Sequence, residues 1–306
     1  MNGIKDCVLR AGRAALPACS ALLLLLIPSI LPAAPANPGP TAAPEAQAAQ
    51  TPPQTAPAPN TQQRVQPEMA FALMAAESEK GNADAMLTLG RFYEQGVGIG
   101  RNYSKALEWY EKAANAGKPE GFYNMGVCCE IGMGAAADAG KALQNYQRAA
   151  DMGMALAMYK LSSMFIAGSG TARDAAKGVA QLEKAAGAGM AAAANDLGAI
   201  YLSGLLGQKK DEKKALSMFM QAADLGNLDA IRQVAVMHRD GVGTKADPAA
   251  AYRWYLIARR GGYAGEDAVR MIGLLEGSLP PTQAQQAQKD ADAWLEGYAR
   301  RQTGSP

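Results

Sequence analysis

Residues 102–117 read NYSKALEWYEKAANAG, and related versions of this segment recur along the chain. Six glycines, including the last residue of each version, are spaced 36, 36, 36, 37 and 36 residues apart. They are Gly81, Gly117, Gly153, Gly189, Gly226 and Gly262. A fixed period of this length is typical of proteins that stack small helical units. It predicts five complete repeats, at residues 81–116, 117–152, 153–188, 189–225 and 226–261.

The residues after each glycine predict a first helix with one buried face. Counted from the glycine, position four is small, position eight is apolar, position nine is small and position twelve is mostly bulky. Position four carries Ala85, Gly121, Ala157, Ala193 and Ala230, and position eight carries Leu89, Met125, Leu161, Leu197 and Val234. Position nine carries Gly90, Gly126, Ser162, Gly198 and Ala235, and position twelve carries Tyr93, Cys129, Phe165, Tyr201 and His238. Because a spacing of four follows one side of a helix, these residues form a single face, and its small members let a neighbouring backbone approach closely.

A second helix follows in each repeat. Glycine ends the first helix and permits positive φ, at Gly96, Gly132, Gly168, Gly204 and Gly241. An oxygen-bearing residue 15 positions before the next repeat's glycine predicts the N-cap of the second helix, at Asn102, Asp138, Asp174, Asp211 and Asp247. Bulky residues then recur within it, at Tyr110, Tyr146, Leu182, Phe219 and Tyr255. Each repeat is therefore predicted to be a pair of helices.

The cadence A-x-x-x-L-G-x-x-Y-x-x-G-x-G, followed by D-x-x-K-A-x-x-W-Y-x-x-A-A-x-x-G, resembles the Sel-one-like repeat. Residues 102–114 match it nearly throughout, and the resemblance covers about residues 81–262. It implies an all-α fold, namely a right-handed superhelix, or solenoid, of antiparallel helix pairs related to tetratricopeptide repeats. It also implies a scaffold for protein partners.

Stacked repeats need covers at both ends, and the flanking sequence predicts a solenoid over residues 67–301. Residues 67–80 resemble a lone second helix. Ala268, Ile272 and Gly273 match a degenerate sixth repeat, within residues 262–301, if a two-residue slip is allowed. Pro280 and Pro281 stop that repeat, and Thr282 with Gln285 then predicts the capped start of a closing helix. One side of that helix carries Ala284, Ala287, Ala291, Trp294, Leu295 and Tyr298.

The N-terminus predicts export. Lys5, Arg10 and Arg13 precede an apolar run at residues 21–27, and small residues at 34–36 offer a cleavage site. We expect a signal peptide at residues 1–36, a mature chain from Asn37, and a periplasmic or secreted protein. The alternative is an uncleaved anchor, from about residue 14 to residue 31, that holds the protein at the inner membrane facing the periplasm.

Residues 37–66 are rich in Pro, Ala, Gln and Thr and predict a disordered linker. Loss of residues 1–36 would remove three of the 30 basic and one of the 28 acidic residues, so the mature chain has a net charge of about zero. Binding to nucleic acid or to an anionic membrane surface needs concentrated positive charge. We therefore expect neither, apart from membrane attachment through an uncleaved N-terminus.

Few residues could support chemistry. His238 is the only histidine, and beyond the predicted signal only Cys128 and Cys129 remain, so neither a metal cluster nor a catalytic triad is indicated. Core packing explains His238 and Cys129 better than catalysis does. The glycine loops lack the Lys-Ser/Thr of a phosphate-binding loop. We expect no cofactor, no metal and no enzymatic activity; a hydrolase of cell-wall or β-lactam substrates is a minor alternative.

Function is therefore assigned to the exposed side of the first helices, which lines the concave surface in this architecture. If positions four, eight and twelve are buried, positions six, seven and ten should be exposed. The candidate partner-binding residues are Leu87, Thr88, Arg91, Tyr123, Asn124, Val127, Tyr159, Lys160, Asn195, Asp196, Arg232 and Gln233. Tyr, Asn and Arg suit protein recognition because they anchor interfaces and also form hydrogen bonds.

Two kinds of protein partner fit this surface. The first hypothesis is an adaptor of the bacterial envelope that binds another envelope protein. The second is a periplasmic inhibitor or immunity protein that neutralises a sensor kinase or a secreted toxin, because exported relatives resemble such regulators. The sequence does not choose between them, since stacked repeats can keep their fold while their exposed residues change.

Overall fold

A computed structural model describes residues 66–303 of the 306-residue chain. The predicted signal peptide and residues 37–65 of the predicted linker lie outside these residues. Within residues 66–303 the chain forms thirteen α-helices and no strands. They are α1 (Pro67–Glu79), α2 (Ala83–Gln95), α3 (Tyr103–Asn115), α4 (Pro119–Ile131), α5 (Ala139–Asp151), α6 (Ala155–Ala167), α7 (Ala175–Gly187), α8 (Ala191–Ser203), α9 (Glu212–Asp224), α10 (Leu228–Asp240), α11 (Pro248–Gly261), α12 (Glu266–Ser278) and α13 (Pro281–Thr303).

These helices form the predicted right-handed α/α superhelix. Each repeat contributes a first helix (α2, α4, α6, α8 or α10) and a second helix (α3, α5, α7, α9 or α11), and each helix from α1 to α11 packs against the next helix in sequence. The buried residues form three clusters, each of which crosses at least one repeat boundary. The predicted fold class is confirmed.

The predicted helix ends are also confirmed. Asp174 caps α7, because its side chain accepts a hydrogen bond of 2.9 Å from the Lys177 backbone N–H. The other four predicted caps act in the same way at α3, α5, α9 and α11. Gly168 ends α6 with φ 76°, a left-handed conformation that glycine adopts at little cost, and the other four predicted glycines end their first helices similarly.

The small residue at position nine has a specific packing role. A Cβ built on Gly126 would lie 2.7 Å from the Tyr146 ring, and one built on Gly198 would lie 2.7 Å from the Phe219 ring. Gly90 faces the Tyr110 ring in the same way. The bulky residue of each of these second helices therefore lies directly on the backbone of its own first helix.

One burial prediction was too simple. Position four is fully buried in all five repeats, whereas at position twelve only Tyr201 is buried and the other residues are half-buried. A lysine from the second helix lies over the ring at this position in three repeats, for example Lys214 Nζ at 3.9 Å from the Tyr201 ring centroid. Position twelve therefore marks the solvent edge of the helix pair.

The ends follow the sequence closely, with one correction. The lone helix α1 and the buried face of α13 are confirmed, although Trp294 is only half-buried. The predicted cap at Thr282 is wrong, because α13 begins at Pro281 and the N–H groups of Gln283 and Ala284 donate to the Pro280 carbonyl. Proline suits the first helical position, since it lacks an N–H that would need a partner there.

Candidate protein-binding surface

The outward side of the first helices is the surface on which the sequence placed a binding site. Two of its predicted residues, Leu87 and Tyr159 at position six, are buried, so the prediction that they are exposed was wrong. Of the other ten, only Arg91 is fully exposed, and nine are half-buried.

Tyr159 and Asp196 explain why position six is covered. The Tyr159 hydroxyl on α6 donates a hydrogen bond of 2.6 Å to Asp196 Oδ2 on α8, the first helix of the next repeat. Burial raises the pKa of the Asp196 carboxyl, and the hydrogen bonds from Tyr159 and Asn195 oppose that rise. Two residues that were predicted to bind a partner therefore form a hydrogen bond with each other, between repeats three and four.

Other predicted residues form similar links. Lys160 Nζ on α6 lies 3.3 Å from Glu130 Oε2 on α4, and Glu130 also accepts a 2.6 Å hydrogen bond from the Tyr146 hydroxyl. Arg232 Nε on α10 donates a 2.7 Å hydrogen bond to Asp267 Oδ2 on α12. These contacts join successive first helices directly.

The contacts explain this burial. Tyr159 and Arg232, at position six, reach the following first helix, and Lys160, at position seven, reaches the preceding one. The sequence period identifies the face that meets the second helices, but it does not show how close successive first helices lie. Side chains at positions six and seven meet in that gap.

Positions three, ten and fourteen lie on one side of each first helix, and in repeats two to four their residues are half-buried or exposed. In these repeats, eight of the nine residues at these positions are small or apolar, and we call these eight the floor; the ninth, Glu120 on α4, is charged. The floor consists of Val127, Ile131, Leu156, Ser163, Ala167, Ala192, Ala199 and Ser203, all half-buried or exposed. Only Val127 was among the predicted residues. At about 100° per residue, the direction opposite positions four, eight and twelve falls between positions six and ten, so a helical wheel alone does not separate the floor from position six.

The remaining predicted residues border the floor. Thr88 and Gln233 lie at position seven of the two end repeats, and Asn195 lies beside Asp196 at position six of repeat four. Tyr123 packs its ring against Tyr146, with the ring centroids 5.4 Å apart.

Two buried polar atoms on α4, the helix that carries Val127, lack hydrogen-bond partners among the described residues. Asn124 Nδ2 and Glu120 Oε2 are both buried, and neither has a hydrogen-bond partner among the described residues. A buried polar atom without a partner costs about 1–3 kcal/mol. The two residues are four positions apart, so they lie on the same side of α4.

The candidate chemical residues lie elsewhere. Cys128 is buried against α3, and burial raises the pKa of its thiol to about 12. Burial and, to a lesser extent, Arg253 lower the pKa of His238, which lines a cavity of about 360 Å³ with Arg253, Gln283 and Asp290. Within residues 66–303, no group of three or more His, Cys, Asp or Glu is placed to hold a metal ion. No helix in this range is long and apolar enough to cross a membrane.

Comparison with known protein families shows to which family the chain belongs. The model of the Sel1 repeat matches residues 83–118, 119–154, 155–190, 191–227 and 228–263. The chain belongs to the Sel1 repeat family. The matched repeats begin two residues after the predicted ones, and each starts at or next to the first residue of a first helix.

Several solved proteins are similar to this chain. A Sel1 repeat protein from Oxalobacter formigenes is 28% identical with a TM-score of 0.57, over 64% of this chain and 80% of that protein. A protective antigen from uropathogenic Escherichia coli is 23% identical with a TM-score of 0.44, over 78% of this chain and 58% of the antigen. An immunity protein from Pseudomonas aeruginosa is 26% identical with a TM-score of 0.37, over 72% of this chain and 74% of that protein.

A curated relative shares one short region. The HRD3A component of an ERAD-associated E3 ubiquitin-protein ligase from Arabidopsis thaliana is 42% identical over 50 residues, which are 16% of this chain. The matched region spans only 7% of the length of that relative. Sel1 repeat proteins are typically protein-interaction scaffolds, and the repeat is generally a non-catalytic fold.

Proposed function

We propose that this Sel1 repeat protein is a non-catalytic adaptor of the bacterial cell envelope that binds a protein partner along the floor. The observation that carries the proposal is the floor itself. It consists of small and apolar side chains, from Val127 on α4 to Ser203 on α8, that are half-buried or exposed, with Glu120 at the α4 end. A flat apolar row of this kind suits a helix or an extended segment of another protein.

The edges of the floor support the same proposal. Lys160 and Glu130 pair between α6 and α4, so charged groups border the apolar centre. An apolar centre with a polar rim is the usual anatomy of a protein interface.

Export rests on the N-terminal sequence. Its basic start, apolar run and small residues at 34–36 have the order of a signal peptide. The test is cell fractionation of a C-terminally tagged full chain, followed by N-terminal sequencing. We expect an envelope protein beginning near Asn37, whereas recovery from the cytoplasm with Met1 intact would contradict export.

Partner binding is tested by affinity capture with the tagged full chain from envelope extracts of its own source. Val127→Arg and Ser163→Arg each place a long cation on the floor, so we expect a captured partner to be lost. Met152→Arg is the matched control, because Met152 is exposed at the end of α5, outside the first helices. The captured protein is then purified and its affinity measured by calorimetry.

The outcomes separate the binding surface from binding in general. A partner that is lost with both floor variants and kept with Met152→Arg supports the proposal. A partner that binds all three variants equally would show that the floor is not the binding surface. No partner from any envelope extract would contradict the adaptor role and favour a foreign target, such as a toxin.

A further inference from the structure

The two ends of the repeat stack carry complementary open faces. In the complete repeats, each first helix is covered by its own second helix and by the second helix of the preceding repeat. At the N-terminal end, α1 is a second helix, and no described residue forms its first helix. At the C-terminal end, α12 occupies the position of a sixth first helix.

The register of α12 shows which of its faces is covered. With the two-residue slip, Ala268 stands at position four and Leu275 at position eleven. Both are buried, as the equivalent residues are in repeats two to five, and α12 packs against α11. This is the face that a first helix turns toward the preceding second helix.

The opposite face of α12 is open. Gly273 stands at position nine, where Gly126 and Gly198 receive the bulky residue of their own second helix, yet a Cβ on Gly273 would meet nothing within 4 Å. Val269, at position five of the same face, is 49% exposed.

The next helix in the chain does not cover this face. Instead, α13 packs on α11, where the rings of Trp254 and Trp294 lie 5.7 Å apart and Gln288 donates to the Tyr252 hydroxyl. A 3.3 Å hydrogen bond from Gln288 to Glu276 also joins α13 to α12. Among the described residues, α12 is thus a first helix without a second helix.

The exposed face of α1 is the matching half. Met69 stands twelve residues before Gly81, the slot of the lysines that lie over the position-twelve rings of their own first helices. Leu73 stands in the slot of Asn145, whose side chain contacts Cys129 on its own first helix. Met69 is 64% exposed and Leu73 is 54% exposed.

Polar groups at the two faces also correspond. In repeats one and two, a second-helix tyrosine donates to a glutamate at position thirteen, as Tyr146 does to Glu130. The tyrosine slot of α1 holds Met74, and position thirteen of α12 holds Gly277. The tyrosine and the glutamate of this hydrogen bond are therefore both absent at the two faces. If the faces met, neither a tyrosine hydroxyl nor a glutamate would be buried without its partner.

We propose that the occupant of each open face is a second copy of this chain, with α1 of one copy packed on α12 of the next as if they were one repeat. The contact continues an interface that the molecule already forms five times within itself. It is head-to-tail, so every added copy leaves one open face at each end and the assembly can grow. In such an assembly, the surface formed by the first helices of one copy would be continued by the first helices of the next copy.

The test measures association of the purified full chain by sedimentation velocity. A single helix pair buries less than the roughly 1,200 Å² of a standard stable interface, so we expect weak association, visible between about 10 µM and about 1 mM. The average mass should rise with concentration beyond two chain masses. If the average mass stays at that of one chain throughout this range, the proposal is wrong. This holds both if the faces stay open and if the chain's own N-terminal residues cover α1.

Charge at either end distinguishes head-to-tail contact from symmetric pairing. Leu73→Arg blocks the α1 face and Val269→Arg blocks the α12 face, so each variant alone should remain a single chain. Mixed together, each variant contributes one intact face, and the mixture should form dimers of one copy of each and nothing larger. Self-association of either variant, or a mixture that stays monomeric, would overturn the proposal.

A control excludes a general effect of added charge. Met220 on α9 is 41% exposed and lies away from both ends. Met220→Arg should associate as the unmodified chain does, and loss of association in this variant would count against the end-to-end contact. All three substitutions are at exposed positions, and circular dichroism confirms that the helices are retained.

Discussion

The hydroxyl of Tyr159 and the carboxylate of Asp196 form a 2.6 Å hydrogen bond between the first helices of two successive repeats. Both residues are at least half-buried, and the bond lies where the surface was expected to be open. It therefore stabilises the stacking of repeats three and four, so substitutions here report on folding before they report on binding.

Removing the Tyr159 hydroxyl should destabilise the stack. In Tyr159→Phe, Asp196 keeps only the long 3.5 Å hydrogen bond from Asn195, so a buried carboxylate loses its main donor. We expect the free energy of unfolding to fall by about 1–3 kcal/mol, measured by urea denaturation. Tyr103→Phe is the control, since that hydroxyl makes only an exposed 3.5 Å contact with Arg101. Equal losses in both variants would contradict the role of the Tyr159 bond.

Asp196→Asn should make stability depend differently on pH. Burial raises the pKa of Asp196 in the folded protein, so the folded state holds the proton more tightly than the unfolded state does. The carboxyl therefore favours folding at low pH, and that contribution is lost as pH rises through the folded pKa. Asparagine stays neutral and can still accept from Tyr159.

The variant should accordingly be more stable than the unmodified protein at about pH 7.5, and the difference should shrink as pH falls toward about 4. Urea denaturation at a series of pH values measures this difference, from which the other carboxyl groups cancel. A gap that widens as the pH falls would contradict the raised pKa.

Much of this architecture could be predicted because it depends on residues that are close together in the sequence. The glycine spacing gave the repeat, and the residues at Asp174 and Gly168 gave the helix ends, since capping involves atoms three or four residues apart. The closing helix was recognisable from its apolar side alone. All of these features depend on a helix and its nearest neighbours in sequence.

The binding surface could not be predicted as well, because contacts between successive first helices join residues 30 to 37 positions apart. Tyr159 meets Asp196, and Arg232 meets Asp267, only once the rise and twist of the whole stack are fixed. A periodic pattern identifies the face of a helix that packs against its partner helix. It does not say whether a tyrosine beside that face reaches solvent or the next repeat.

Two glycines at the same position of the repeat should respond oppositely to alanine. In Gly198→Ala the new Cβ would lie 2.7 Å from the Phe219 ring, and this overpacking should cost about 1–3 kcal/mol, more than the helix propensity gained. In Gly273→Ala nothing lies within 4 Å, so the variant should gain up to about 1 kcal/mol from propensity alone. Thermal unfolding of dilute protein measures both, and a loss in Gly273→Ala would contradict the open face of α12.

The neighbouring cysteines offer a test of packing in repeat two. Cys128 faces α3, and burial raises the pKa of its thiol to about 12, so the nucleophilic thiolate is scarce in the folded protein. We expect iodoacetamide at about pH 8 to leave Cys128 unmodified in the native state and to label it fully in urea, as peptide mass spectrometry would show. Cys129 is half-buried on the adjacent side of α4 and is the internal control, which should be modified first. Rapid native labelling of Cys128 would mean that α3 and α4 separate far more often than their buried contact allows, because alkylation requires the thiol to reach solvent.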